Sequence, residues 1–420
     1  MSFWTKKYFD FYLLCYALYA YLNKGIAYSF LVEALLGIGL LVVMFRFKQL
    51  EIPKERVVIL LIIFLGINLI YMGRGFTQYG IINVIRDSFL INYALFIAIL
   101  FLFRQHTNYL LKGIFKIYAL YPVIQLIHFL ILSYLPHADE FMPFGNISLL
   151  HYKYGDMAVH LFICTLLMVT GKIQLPFRFT VLNYILIGYL FLVASTFSRA
   201  GMVCFGMSGL LFFFTLSDLN LKKQLLYYLR FVPIFLLVAI PLYQLTKTKE
   251  NFQGRKTGIT QLTENITSLT ATEKGSTQSD NNVWRLVWWG KIIEYTFGGQ
   301  YFMLGKGLGM SLAVDDDIDP STSDGELRSP HNFHLNLLAR FGVPFFLAWL
   351  YWIFLHLQFF KRRVLSPDAH WLLCIFFIFL VNASFDVYLE GPMGAFPFWT
   401  ITGLLYIELF FTPHSKIRSA

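Results

Sequence analysis

Twelve stretches of this chain are apolar for long enough to cross a lipid bilayer, or nearly so, and no other feature restricts the fold as much. They fall at about 8–22, 28–46, 57–73, 86–103, 114–135, 155–170, 179–197, 200–216, 227–245, 333–358, 369–385 and 394–411. Several are short, and 8–46 also reads as one span plus a re-entrant piece, so the count carries a margin of about one. Of the 420 residues, 57% are hydrophobic and only 14% charged, against about a quarter charged in soluble domains. A water-soluble core does not need this excess, because a soluble fold needs a large polar shell. Lipid-facing walls account for it, and the expected fold class is an all-α polytopic membrane protein. Met1–Tyr21 carries Lys6 and Lys7 before an apolar run and shows no small-residue cleavage site, so it reads as an uncleaved first span.

The formal charge of +10 suggests nucleic acid until the basic residues are placed. They sit in alternate short loops: Lys6/Lys7, Arg46/Lys48/Lys54/Arg56, Arg104/Lys112/Lys116, Lys172/Arg178, Lys222/Lys223/Arg230, Lys361/Arg362/Arg363 and Lys416/Arg418. That is the positive-inside pattern, and it puts both termini in the cytoplasm. One connection breaks the rhythm. Residues 246–332 are polar, fall on the external side, and are longer than a connector needs, which marks them as functional. The expected organisation is an N-terminal transmembrane bundle over 1–245, an external loop over 246–332 and C-terminal spans over 333–420. Within the loop, 251–281 reads as flexible. Asn282–Tyr295 (NVWRLVWWGKIIEY) reads as an amphipathic helix lying on the outer leaflet.

Charges at membrane depth are costly and point to function. Arg199 stands in Ser-Thr-Phe-Ser-Arg-Ala-Gly at the external end of the seventh span; its bland alternative is an interfacial anchor. Arg285 is flanked by Trp284, Trp288 and Trp289, for which an interfacial aromatic belt is the plain reading. His331, in Ser-Pro-His-Asn-Phe-His-Leu, stands where the loop re-enters the membrane behind Pro330. Arg86-Asp87 in the fourth span reads as an internally paired charge near a helix start. Gly305-Lys-Gly-Leu-Gly309 lacks the strand–helix context of a dinucleotide loop and reads as a tight turn. Asp315-Asp-Asp317 with Asp319 is either a divalent-cation site or, as preferred here, a solvated loop. The cysteines, Cys15, Cys164, Cys204 and Cys374, lie inside apolar runs, which speaks against disulfides and zinc. No metal or cofactor is expected.

The ordered set Ser-Arg-Ala-Gly201, an Arg-bearing aromatic helix, Gly-x-Gly-x-Gly309, His331-Asn-x-x-Leu and Arg340-Phe-Gly342 resembles the bacterial O-antigen polymerase and ligase superfamily, most strongly over about 180–360. The resemblance implies a metal-independent, inverting glycosyltransferase of the inner membrane. It would take an undecaprenyl-diphosphate-linked glycan on the periplasmic face. It implies Arg199 and Arg285 as holders of the donor diphosphate and His331 as the general base. Asn332, Gly307 and Arg340 stand behind them; Arg340, nine residues beyond His331 and half a turn away on a helix, is expected off the catalytic face. Polymerase is the leading reading, on the run Leu335–Gly342. Ligase onto lipid A core is the alternative, a protein O-oligosaccharyltransferase a third, and a lipid-linked glycan flippase the rival of another class. Expected partners are the lipid-linked oligosaccharide, membrane lipid and a chain-length regulator.

The orientation is open to direct test. A cysteine in place of Ser276 should react with a membrane-impermeant thiol reagent in intact spheroplasts; reaction only after permeabilisation would invert the topology.

Overall fold

The structure, a computed structural model, describes residues 2–27, 29–135, 137–138, 140–143, 148–174, 180–215, 277–318, 327–361 and 365–412. The expected span at 227–245, the loop to residue 276, Asp319, and Arg178, Lys222, Lys223, Arg230, Arg362, Arg363, Lys416 and Arg418 lie outside the described residues. The regular elements, in chain order, are α1 (Phe3–Leu22), α2 (Leu31–Phe45), α3 (Arg56–Phe76), α4 (Ile81–Asn92), α5 (Phe96–Leu102), α6 (Thr107–Tyr134) and α7 (Tyr154–Val169). They continue with α8 (Thr180–Phe197), α9 (Arg199–Thr215), α10 (Thr277–Phe297), α11 (Leu312–Asp315), α12 (Phe333–Phe359), α13 (Pro367–Ala383) and α14 (Pro392–Phe410). No strand occurs among the described residues.

Every expected apolar stretch within the described residues lies on a helix. Among the described residues five stretches are long and apolar enough to cross a bilayer: Arg56–Phe76, Ile81–Leu102, Arg104–Tyr134, Phe333–Phe359 and Pro392–Phe410. Shorter apolar helices accompany them, so the chain is a multi-pass membrane protein, with twelve crossings remaining the expectation of the sequence. The outer face of α3 shows the solvent it is built for. Ile59, Ile62, Ile63, Leu69 and Ile70 are exposed while Leu61, Phe64 and Tyr71 are buried, a helix apolar on all sides.

The described residues fall into two compact units. The first, Met1–Leu31 with Asn108–Thr272, packs α7 against α8 and α9. Gly201 lets α9 approach α7, since a Cβ there would stand 3.0 Å from Cβ of Ala158 and 3.2 Å from Cα of Gly155; small residues are what permits such contact in lipid. Its interior holds a polar chain, Tyr118 Oη standing 3.2 Å from Tyr16 Oη and 3.0 Å from His160 Nδ1.

The second unit is Val32–Thr107 with Glu273–Ala420. Its centre is aromatic: Trp352 stacks on Trp349 at 4.8 Å, His356 on Phe376 at 4.3 Å, and Trp399 lies 5.9 Å from Trp352. Its decisive feature is a break in α12. Gly342 takes φ 81°, ψ 178°, the turn before it loses its next hydrogen bonds, and Pro344 has no N–H to offer. The Gly305–Gly307 loop uses what the break releases. Lys306 N donates to Ala339 O at 2.8 Å, Gly307 N to Arg340 O at 2.9 Å, and Val343 N to Phe302 O at 2.7 Å. Gly305, Gly307 and Gly309 all have positive φ, as the expected tight turn requires. Two motifs separate in sequence are thus one structural joint.

That joint makes a stability prediction. A Cβ on Gly305 would lie 2.4 Å from the carbonyl carbon of Arg340, at φ +57°. Left-handed backbone costs about 1–2 kcal/mol for an L-residue and overpacking a further 1–3 or so, so Gly305→Ala should destabilise the detergent-solubilised protein by about 2–4 kcal/mol. Gly66→Ala, with nothing within 4 Å of the added Cβ, should be neutral within about 1 kcal/mol. Equal melting shifts for the two variants would mean that the loop is not docked as described.

Candidate functional site

His331 is held in an unusual conformation. It has φ 53° without being glycine, a state that costs of order 1–3 kcal/mol and collects at functional sites. The next residue starts α12: Asn332 is its N-cap, accepting from Leu335 N at 3.1 Å. Asn332 is therefore used by the helix, and His331 stands just outside the first turn. Its Nδ1 lies 4.0 Å from Oδ1 of Asp386, while Asp386 Oδ1 also accepts the N–H of Val387 at 2.6 Å. An imidazole whose Nδ1–H faces a carboxylate presents Nε2 as the nitrogen that accepts a proton.

The helix α10 brings Arg285 to the same place. Its inner face buries Trp288 and Ile292 against Leu338, Ala339 and Val343 of α12 and Leu312 and Ala313 of α11. Trp289 Nε1 donates to Pro330 O at 2.7 Å, which pins the turn before His331. Trp284 meets the His331 ring edge-on at 5.8 Å, and Arg285 Cζ lies 5.5 Å from the Trp284 ring. Arg285 Nη1 donates to Phe385 O at 3.4 Å, the residue next to Asp386. Arg285, Trp284, His331 and Asp386 thus form one cluster from three segments. For these tryptophans an interfacial belt is the plain reading. Instead Trp288 and Trp289 donate their indole N–H groups inward, and one face of α10 is core; Leu286, Val287, Ile293 and Phe297 are the exposed ones. The last residues of the stretch expected to be flexible, 277–281, are already helical.

A second polar assembly supports the first. Asp87 is not paired with Arg86, which donates instead to Asn83 Oδ1 at 3.0 Å. Asp87 Oδ2 stands 2.8 Å from Arg340 Nη1 and 3.4 Å from Arg328 Nη2, and accepts Gly309 N at 2.9 Å. Arg340, 1% exposed, also donates to Asn336 Oδ1 at 2.9 Å and to the carbonyls of Gly307 and Met310. Arg340 and Gly307 are thereby fixed as parts of the scaffold. Burial pulls the pKa of Arg328 down, with Asp87 opposing.

Within the acidic run Asp315 and Asp317 are exposed, as a solvated loop requires, and Asp316 is the exception. Asp316 is 1% exposed. Its Oδ2 accepts Trp288 Nε1 at 2.6 Å and Tyr295 Oη at 3.4 Å, and Lys306 Nζ contacts both Asp316 and Asp315 at 2.5 Å. Lys306 lies 4.2 Å above the Tyr295 ring. Burial lowers the Lys306 pKa, but its two carboxylate partners outweigh that and leave it raised. A carboxylate pair already filled by an ammonium is a poor place for a divalent ion, and no group of three His, Cys, Asp or Glu side chains suited to a metal occurs among the described residues.

Arg199 belongs to the other unit. It opens α9 right after Ser198, whose Oγ caps the helix by accepting Gly201 N at 3.1 Å. A guanidinium at the positive end of a helix dipole does nothing for the helix, yet dipole and cation together favour an anion. Asp386 was missed by sequence reasoning, as were the partners of Asp87. The only signal for Asp386 was a carboxylate in the short connection after the span at 369–385.

Residues 184–350 match the family model described as O-antigen ligase. The match supports the expected likeness to the O-antigen polymerase and ligase superfamily and a role in surface-polysaccharide assembly. Comparison with curated proteins and with solved structures gives no match.

With Asp315 and Asp316 engaged by Lys306, activity should not depend on a divalent ion. Purified protein should keep full turnover in excess EDTA; loss restored by magnesium or manganese would return the acidic run to the active site.

Proposed function

We propose that this chain transfers a glycan from undecaprenyl diphosphate to an acceptor sugar hydroxyl on the periplasmic face of the inner membrane, with inversion and without metal. The observation that carries the reading is the cluster in which His331 faces Asp386 while Arg285 shares Trp284 with it. In the step envisaged, the acceptor oxygen attacks the anomeric carbon and its proton passes to His331 Nε2. The bond from that carbon to the diphosphate oxygen breaks, and the electron pair leaves with the lipid diphosphate. The developing anion is met by guanidinium forks, which pair bidentately with phosphate and act more strongly where water is excluded. Arg285 is one of these; the resemblance implies a diphosphate-holding role for Arg199 as well, and its place at a helix N-terminus suits an anion. Asp386 orients the imidazole and steadies its cation.

Polymerase and ligase share this chemistry. Polymerase remains the first reading, but Leu335–Gly342, on which that preference stood, is engaged in packing, with Arg340 held by Asp87 and Gly342 at the helix break. The ligase reading draws on the description of the matching family. The flippase reading loses its main feature, because Asp87 is consumed by Arg340, Arg328 and Gly309.

Donor affinity and turnover of alanine variants, with a defined lipid-linked oligosaccharide, separate the roles. Arg199→Ala and Arg285→Ala should weaken donor binding and abolish nearly all turnover, and the Lys variants should recover only part of it because the fork is lost. His331→Ala should bind donor normally and turn over about 10²–10⁴-fold more slowly. It should also lose the acid limb of the pH–rate profile. Weakened donor binding with turnover preserved at saturation in His331→Ala would make the histidine a diphosphate ligand. Full turnover in all three would put the flippase first.

A further inference from the structure

The connection between α10 and α11 carries no charge from Thr296 to Gly305, and the large apolar side chains at its turn, Phe302, Met303 and Leu304, are 41%, 63% and 55% exposed. Three adjacent side chains of this kind turned outward mark a surface that meets something apolar. Backbone contacts fix where the turn stands. Leu304 O accepts the Tyr71 hydroxyl at 2.8 Å, and Phe302 O accepts Val343 N at 2.7 Å, just past the break in α12. From Leu304 the chain climbs towards the end of α3. A Cβ on Gly75 would stand 2.9 Å from Leu308 O, and the Tyr79 hydroxyl meets Met310 Sδ at 4.0 Å. Leu304, Leu308 and Met310 thus follow Tyr71, Gly75 and Tyr79 upward, with Phe302–Leu304 at the low end of the rise.

Two helices give the depth of that point. Tyr71 is fourteen residues beyond Val57, where the apolar run of α3 begins after Lys54 and Arg56, or about 21 Å along the axis. Gly342 is seventeen residues before Phe359, where α12 ends ahead of Lys361, or about 26 Å. The two helices run antiparallel and in register: Trp352 Nε1 donates to Val57 O at 3.0 Å, Phe64 meets Phe345 at 4.9 Å, and Tyr71 meets Phe341 at 4.9 Å. A hydrocarbon core is about 30 Å thick, and tilt shortens the climb, so both helices put the turn below the far boundary. Irregular backbone is tolerated there only where protein satisfies it. Val343 and Tyr71 take the carbonyls of Phe302 and Leu304, while the N–H groups of Gly305, Lys306 and Gly307 reach Tyr301 O, Ala339 O and Arg340 O at 3.0, 2.8 and 2.9 Å.

We propose that Phe302, Met303 and Leu304 are seated in the outer leaflet, their side chains against the acyl chains of the bilayer. The long connection before α12 is then not wholly extramembrane: it is anchored in hydrocarbon where it docks on the break of α12. The occupant is lipid rather than another protein because the turn adjoins a face of α3 that is built for lipid, with Leu69 and Ile70 exposed one and two residues before Tyr71. Nothing in this placement depends on the transfer step.

The test uses the full chain in phosphatidylcholine nanodiscs with a nitroxide on Met303→Cys. Power saturation is read against oxygen, which concentrates in hydrocarbon, and against a water-soluble nickel chelate. The native cysteines are buried, and the unsubstituted chain taken through the same labelling gives their background. Leu69→Cys on α3 is the lipid reference, and Gln78→Cys, exposed in the turn after α3, the aqueous one. The Met303 label should be relaxed by oxygen as the Leu69 label is, and shielded from nickel several-fold relative to Gln78. Nickel contact equal to that of Gln78 overturns the inference. So does shielding from both reagents, the sign of a turn covered by another part of the chain or by a second copy. Nickel contact at Leu69 itself overturns the lipid placement of α3 on which the depth rests. Melting in the same nanodiscs is the second measurement. Met303→Asp should lower the melting temperature by several degrees, because a carboxylate in hydrocarbon is costly, whereas Met303→Leu should leave it unchanged. In water either change is a surface substitution of little effect, so equal melting of the two variants overturns the inference as well.

Discussion

A carboxylate among apolar helices is stable only when a cation or several donors meet it, and in the second unit Asp87 sets that condition. It receives Arg340 at 2.8 Å and the N–H of Gly309 at 2.9 Å, with Arg328 at 3.4 Å. Removing one side of such a buried pair strands the other, at about 3–5 kcal/mol. The three partners come from α12, the glycine loop and the segment before His331, so one anion on α4 gathers the elements that build the site. Arg340 carries the contact onward to Gly307 O and Met310 O. Its position depends in turn on the break at Gly342, where the released groups of α12 dock the loop.

Polarity in this unit is used in pairs that leave little for casual chemistry. Lys306, which a motif search would favour as a phosphate ligand, is spent on Asp315 and Asp316. Trp288 is spent on Asp316 and Trp289 on Pro330. These contacts fix α10 to α12, and with them the approach of Arg285 to the His331 turn. Precision of that kind is what an enzyme needs from its scaffold, since charge stabilisation works only through groups already in place.

The helices were legible because lipid imposes a run of about twenty apolar residues that any reading of the chain detects. Arg285 and His331 were legible for the complementary reason, as charge and imidazole in otherwise apolar or aromatic surroundings. What sequence could not show was pairing. Asp87 and Arg340 are 253 residues apart by their numbering, and Asp386 and His331 approach only because two segments fold onto the same end of α12. Local rules therefore paired Asp87 with its neighbour Arg86 and left Asp316 in water. Both errors assign a charge to whatever lies nearest in sequence, whereas in a low-dielectric interior the partner is whatever lies nearest in space. The amphipathic stretch was read correctly as a helix, and its burial was missed because lipid and protein core make the same demand on an apolar face.

Two histidines one turn apart show how the surroundings decide chemistry. Trp349 Nε1 donates to His334 Nδ1 at 3.1 Å, which leaves Nε2 to carry the proton that meets Leu380 O at 3.2 Å. Both nitrogens are committed, one as acceptor and one as donor, so His334 is locked as a neutral structural ring and has no lone pair for a substrate. His331 instead has Nδ1 4.0 Å from the Asp386 carboxylate and the Trp284 ring edge-on at 5.8 Å. The sequence Ser-Pro-His-Asn-Phe-His offers the two as equals. The helix cap at Asn332 separates them, putting His334 on the first turn of α12 against α13 and leaving His331 outside it, on a left-handed backbone turned towards Asp386.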